Sequence, residues 1–265
     1  MLTYARRKAR GTLPRNMPPI ASDALVLRSY KLGETSKIVV LLTRERGKVR
    51  AVAKGARGRR SRYQSALEPL SEVRAALYGR QGAELFRLGS CDLLRSAFPA
   101  GGRGLEVALS LSYFAELLDA FAQEGEAEDA VYRLAIAVVR AAEDGGDIVA
   151  LARYLEAWLL RLHGIYPPLD RCAACDRPLP RAALLYDDVS HGFVCEGCGP
   201  ASGPILGRDV GAFLERAFTQ APAAMQAPPP EARALEAFHE DLIRRHLERE
   251  LRSPRILEDV RRTAS

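Results

Sequence analysis

Residues 37–53 read Lys37-Ile38-Val39-Val40-Leu41-Leu42-Thr43-Arg44-Glu45-Arg46-Gly47-Lys48-Val49-Arg50-Ala51-Val52-Ala53. An apolar, β-branched run enters a charged turn, Gly47 is available for a positive φ, and a second run returns, which predicts a β-hairpin. Ala24-Leu25-Val26-Leu27 precedes it. Two more runs, Leu70 to Tyr78 and Glu84 to Leu88, flank Gly79-Arg80-Gln81-Gly82, a second hairpin signal. Five short strands with little helical signal between them predict a small closed barrel that packs on its own core. The strand count fits an oligonucleotide-binding (OB) fold, and an SH3-like barrel would look similar.

After Phe98-Pro99-Ala100-Gly101-Gly102 the apolar period becomes helical. Leu111, Phe114, Leu118 and Phe121 form one stripe, and Val131, Leu134, Val138 and Val139 a second. Ile148, Leu151, Leu155, Trp158, Leu159 and Leu162 form a third, closed by Gly164 and Pro167-Pro168. Asp209 to Thr219 and Pro230 to Leu251 read as two further helices. Trp158 and the leucine stripes read as core. His239 and His246 lack a third ligand and read as solvated or capping residues. Asp187-Asp188 with His191 reads as a turn.

Between these helices stand Cys172-Ala173-Ala174-Cys175 and Cys195-Glu196-Gly197-Cys198, two knuckles 19 residues apart. This is the spacing of a four-thiolate zinc site. A two-residue gap aims both sulfurs of a knuckle at one tetrahedral ion about 2.3 Å away, and four protein thiolates leave no open position for water. Cys172, Cys175, Cys195 and Cys198 therefore predict a structural zinc, one per chain. Disulfides would require an oxidising compartment, and the first 20 residues contain no secretory apolar core. Cys91 lies apart and reads as an inert buried thiol.

Charge is unevenly spread. Residues 1–63 hold 17 Lys/Arg against three acids, +14 of a total of +6, so the remainder is −8. Local basic charge is the footprint of polyanion binding, with nucleic acid ahead of anionic membrane. The first 19 residues are basic and acid-free, without an amphipathic stripe, and read as an arm rather than a transit peptide. No phosphate loop, nucleophile elbow or His-Glu-x-x-His helix is present, which favours a binding protein over an enzyme. No apolar run approaches the ~20 residues that span a bilayer.

The loop Lys54-Gly55-Ala56-Arg57-Gly58-Arg59-Arg60-Ser61-Arg62 has five cations and two glycines, suited to close approach and forked contacts to phosphate. Arg44, Arg46, Lys48 and Arg50 lie across the preceding hairpin, with Arg28, Lys31 and Lys37 on the strands before it. Tyr30 and Tyr63 are candidate stacking platforms for bases; a half-buried barrel tyrosine is the blander reading of each. Phosphate contacts carry no base code, so binding is expected to be sequence-independent.

Ala24-Leu25-Val26-Leu27, Gly33-Glu34-Thr35-Ser36-Lys37, Gly47-Lys48 and Val52-Ala53-Lys54-Gly55-Ala56-Arg57 resemble the N-terminal domain of the RecO family of bacterial recombination mediators. Tyr154 to Gly164, Pro167 and Leu169-Asp170-Arg171-Cys172 with Cys175 are similar to that family's approach to its zinc knuckle. The resemblance covers nearly the whole chain from about Ile20. It implies an α+β multidomain protein, an OB-fold barrel followed by a helical bundle with an inserted zinc knuckle. It further implies a cytoplasmic, nucleoid-associated DNA-repair role without covalent catalysis. The basic arm, residues 1–19, departs from that pattern; on it, residues 20–96 are the OB-fold domain and 97–170 a helical domain. Residues 171–203 are the zinc insert and 204–265 the rest of the helical domain. The implied partners are single- and double-stranded DNA, RecR and the single-strand-binding protein. The implied activity is annealing of complementary strands and loading of RecA onto coated DNA. A zinc-ribbon RNA-binding protein of the transcription or translation apparatus is the alternative, and an enzyme with a scaffolding zinc a second.

Overall fold

In the β1 strand (Ile20–Leu32) successive side chains are all buried between Ala24 and Leu27, because the strand has core on both faces. The computed structural model describes residues 18–58, 61–80, 82–179, 183–199 and 202–263; residues 1–17 of the basic arm lie outside them. Strands β2 (Ser36–Thr43), β3 (Gly47–Ala53), β4 (Glu72–Tyr78) and β5 (Phe86–Arg95) close a barrel in the order β1-β2-β3-β5-β4. All pairings are antiparallel except β3 with β5. This is the OB-fold arrangement anticipated from the strand count.

One set of side chains fills the barrel: Ala24, Val26, Val39, Leu41, Val49 and Ala51, with Val73, Leu77 and Leu88 from β4 and β5. The alternate set, Leu25, Leu27, Val40 and Leu42, faces outward and shares a core with the helices. The expectation of a barrel resting on its own core alone is thus corrected. Its outer wall is half of an interdomain core. Gly47 serves both the turn and this junction. It has φ +58° and abuts the chain after the first long helix so closely that a Cβ would lie 1.8 Å from the Glu126 carbonyl oxygen.

Among the described residues seven helices follow: α1 (Phe98–Gly101), α2 (Leu105–Phe121), α3 (Asp129–Glu143), α4 (Ile148–Leu162), α5 (Arg208–Thr219), α6 (Ala232–Leu247) and α7 (Ser253–Thr263). Asp147 caps α4, its carboxylate accepting the backbone N–H of Val149 (3.0 Å) and Ala150 (2.8 Å), a contribution of about 1 kcal/mol. Trp158 donates its indole N–H to the Ala217 carbonyl at 2.8 Å and packs edge-on against Phe218, as its core reading requires. Between α4 and α5, strands β6 (Leu184–Asp187), β7 (Gly192–Val194) and β8 (Ile205–Leu206) form a small sheet. Asp187 holds the β6–β7 turn by accepting from the Ser190 N–H and hydroxyl, the blander role read for that acidic pair.

Two elements differ from the sequence reading. The last helix was not anticipated: Glu248, with φ +51°, ends α6, and Ser253-Pro254 starts α7 across α2. Glu116 of α2 accepts the Arg252 and Ser253 backbone N–H groups at 2.9 and 2.8 Å and so caps it. His239 is fully buried rather than solvated. Its Nδ1 donates to Glu156 at 2.8 Å and its Nε2 accepts from the Tyr166 hydroxyl at 3.0 Å. Burial lowers its pKa, so the neutral imidazole joins α4 to α6. Cys91 is buried and its thiol is pushed up to about 12, in keeping with an inert role.

Candidate nucleic-acid interface and metal centre

The two knuckles meet because the β6–β7 hairpin folds the second onto the first. Ala173 donates its N–H to Phe193 at 2.8 Å, and Gly192 passes Ala173 so closely that a Cβ would come within 2.5 Å of its methyl group. Asp176, at φ +59°, turns the chain so that its N–H reaches the Cys172 carbonyl at 2.9 Å. The Cys198 N–H closes the second knuckle on the Cys195 carbonyl at 2.9 Å. The sulfurs of Cys172, Cys175, Cys195 and Cys198 consequently lie within 4.8 Å of one another, and Cys175 and Cys195 are 3.8 Å apart. Thiolates about 2.3 Å from a tetrahedral ion stand about 3.8 Å from each other, so the cluster fits a metal ion.

Electrostatics agree. The Cys195 backbone N–H, aimed at the Cys172 sulfur, draws that thiol down to about 6, whereas Cys198, hydrogen-bonded first to Cys175, is pushed up to about 12. Four sulfurs this close cannot all ionise without a cation, and a divalent ion would allow it. These four cysteines can hold a metal ion, with no side-chain position open to substrate. The module is tied to the bundle by aromatics: Tyr186 and Phe193 pack on Phe238 of α6 with ring centroids 4.9 and 5.7 Å away.

The cations anticipated from sequence separate into two groups. The first faces the helices. Arg28 pairs with Asp119 (3.1 Å), Arg44 with Asp129 (3.2 Å), and Arg50 with Glu124. Lys48 is a correction. Its side chain is only 12% exposed, and its ammonium donates to the Asp119 carbonyl at 2.6 Å, so it pins the barrel to α2 rather than meeting solvent. Arg46 sits partly buried beside these on the β2–β3 turn.

The second group surrounds the free end of the β1–β2 hairpin. Lys31 and Lys37 are direct cross-strand neighbours there, and Lys37 also lies beside Ala53 of β3. The loop after β3 folds back onto the same turn. Its Arg57 N–H donates to the Thr35 carbonyl at 3.0 Å, and its guanidinium donates to the Gly33 and Glu34 carbonyls at 2.9 and 2.8 Å. Lys54 is exposed next to Ala53, Arg62 is exposed farther along the loop with its guanidinium 5.1 Å from the Tyr63 ring, and Tyr30 is 40% exposed at the hairpin edge. Among the described residues, none of Lys31, Lys37, Lys54, Arg57 and Arg62 forms an ion pair with a carboxylate. Arg59 and Arg60 lie outside the described residues.

Tyr63 is the other correction. It is 2% exposed, its hydroxyl donates to the Leu88 carbonyl at 3.0 Å inside the barrel, and no ring face is left for a base. Sequence reasoning missed Arg87, exposed on β5 beside Val52 of β3 and 5.8 Å from the Tyr78 ring. It also missed the acids that capture the first group. Their signal was present as five carboxylates between Asp119 and Asp129.

Comparison with known proteins places this arrangement. Residues 17–97 match the family model described as Recombination protein O N terminal, and residues 104–255 match Recombination protein O C terminal. The chain is 35% identical over 237 residues to the DNA repair protein RecO of Koribacter versatilis, covering 87% of this chain and 94% of that protein. It is 31% identical to the RecO of Anaeromyxobacter sp. strain K (92% and 98% covered) and 30% identical to that of Geobacter metallireducens (92% and 99%). With both halves matched and relatives aligned over most of their length, the chain belongs to the RecO family of DNA repair proteins.

Proposed function

We propose that the barrel tip binds single- and double-stranded DNA without sequence preference, and that the protein anneals complementary strands there. The residues that carry it are Lys31, Lys37, Lys54, Arg57 and Arg62, with Tyr30 as a stacking surface for an unpaired base. The supporting observation is the Lys31–Lys37 pair. Like charges directly opposite in a ladder destabilise it, so a strand pair that keeps them is suited to an external polyanion. Cations along the hairpin offset repulsion between two phosphate backbones and release their counterions, while the strands supply sequence by pairing.

The family reading extends this to action with RecR in loading RecA onto DNA coated by single-strand-binding protein, in the bacterial cytoplasm and without covalent catalysis. The acidic helical remainder suits protein contacts because it does not collapse onto DNA. Zinc is the ion proposed for the four cysteines, where it would cross-link the two knuckles and hold Tyr186 and Phe193 against α6. The test is oligonucleotide binding across a salt series. Charge reversal at Lys37 and Arg57 should weaken all sequences alike and flatten the salt slope by roughly 0.7 to 0.9 per lost phosphate contact. Unchanged affinity at two salt concentrations would refute the assignment.

A further inference from the structure

The segment joining α2 to α3 lies along the start of β3 as an added edge. The Lys48 N–H donates to the Gln123 carbonyl at 2.9 Å, and the Gly125 N–H donates to the Lys48 carbonyl at 3.0 Å. Gly47 leaves no room between the two chains. With its backbone fixed this way, the segment delivers carboxylates to the β2–β3 hairpin: Glu124 to Arg50 and Asp129 to Arg44. Both pairs are surface pairs, with side-chain exposures of 43% and 51% for Arg50 and Glu124, and 58% and 49% for Arg44 and Asp129.

Exposed pairs of this kind add little to stability. Their larger effect is on where a polyanion can lie. A carboxylate held on a guanidinium occupies the fork that would take phosphate oxygens. With the segment seated, the four hairpin cations Arg44, Arg46, Lys48 and Arg50 stand beside Glu45 and five further carboxylates between Asp119 and Asp129. With Arg28 on Asp119 and Arg133 on Asp129, a flank that is cationic in sequence is therefore close to neutral in the fold. At the hairpin tip, 31–37, the one acid is Glu34, and among the described residues it forms no ion pair with the tip's cations.

We infer that Glu124 and Asp129 determine the path of DNA on this protein: they deny the β2–β3 flank to phosphate and confine the strand to the Lys31–Lys37 tip. The inference rests on the barrel being the DNA surface. It makes Arg44 and Arg50, two of the candidates by sequence, silent in DNA binding while their acids are present.

The experiment is anisotropy of a labelled oligonucleotide over a salt series with four proteins: wild type, Arg44→Ala/Arg50→Ala, Glu124→Gln/Asp129→Asn, and the combination of all four changes. The arginine variant should bind within about twofold of wild type. The acid variant should bind roughly fivefold tighter at low salt, with a salt slope steeper by about 1.5 for two new phosphate contacts. The combined variant should return to wild type. Because Asp129 also pairs with Arg133 and opens α3, Glu124→Gln alone with and without Arg50→Ala gives a second cycle. It should show the same pattern at about half the slope change. An arginine variant that loses tenfold in affinity, or an acid variant that binds as wild type, would overturn the inference. Wild type failing to bind DNA at any salt would instead refute the DNA-binding reading beneath it.

Discussion

Lys31 and Lys37 stand directly opposite each other across the β1–β2 ladder, where the Lys37 ammonium donates to the Ser29 hydroxyl at 3.4 Å and neither lysine forms an ion pair among the described residues. Their juxtaposition costs stability, and this gives the site a signature separable from folding. Lys31→Glu converts a like-charge pair into an opposite-charge pair, a change of about 0.2–1 kcal/mol in favour of the folded state. The variant should melt no lower than wild type while its DNA affinity falls severalfold. Calorimetry beside a binding titration checks both. A parallel fall in stability and affinity would mean that the lysines serve the barrel rather than a ligand.

Lys48 should behave in the opposite way. It donates to the Asp119 carbonyl in a nearly closed position, and Lys48→Met removes that charge-assisted bond while leaving Asp119 poorly solvated. A loss of about 1–3 kcal/mol is expected, with an unchanged salt slope for DNA. Denaturant unfolding measures the first and anisotropy the second.

The metal module should be coupled to the whole molecule. Cys172→Ser, or a chelator, should release one ion per chain, free Tyr186 and Phe193 from Phe238, and lower the melting temperature. Because Leu25, Leu27, Val40 and Leu42 belong to the helical core, the barrel should melt together with the helices. Separate transitions, with the barrel unmoved, would contradict the shared core. Elemental analysis identifies the ion.

Acid should act through His239. Its folded pKa is depressed below the ordinary value of 6.5, so the unfolded chain takes up a proton first as pH falls. The stability associated with the neutral ring is complete above about 6.5 and declines below it. The groups facing it are Glu156, which accepts from Nδ1, the Tyr166 hydroxyl, buried Arg153 and the partly exposed Glu236. His239→Gln should be less stable than wild type at pH 7.5 and lose less between pH 7 and 5.5. An identical slope in both proteins would assign the acid response elsewhere.

Much of this molecule was legible before folding. The run from Lys37 to Ala53 specifies a hairpin because its apolar residues need two buried faces, and the Cys-x-x-Cys spacing specifies a cluster because it is set by ion geometry. The pairing of cations was not legible. Arg50 and Lys54 look alike in sequence, yet one meets Glu124, 74 positions away, and the other meets solvent. Tyr63 was ambiguous for the same reason, since only the closed barrel decides whether its ring is inside. The α7 helix escaped because its stripe is short and its cap, Glu116, comes from another helix.

The central claim, that the hairpin tip brings complementary strands together, is tested most directly by the annealing rate of two labelled complementary oligonucleotides without a nucleotide cofactor. Wild type should accelerate annealing. Lys31→Glu/Lys37→Glu, with melting temperature and metal content retained, should bring the rate close to that of protein-free strands at moderate salt. Annealing by the double variant at the wild-type rate would contradict the account and remove the tip from the active surface.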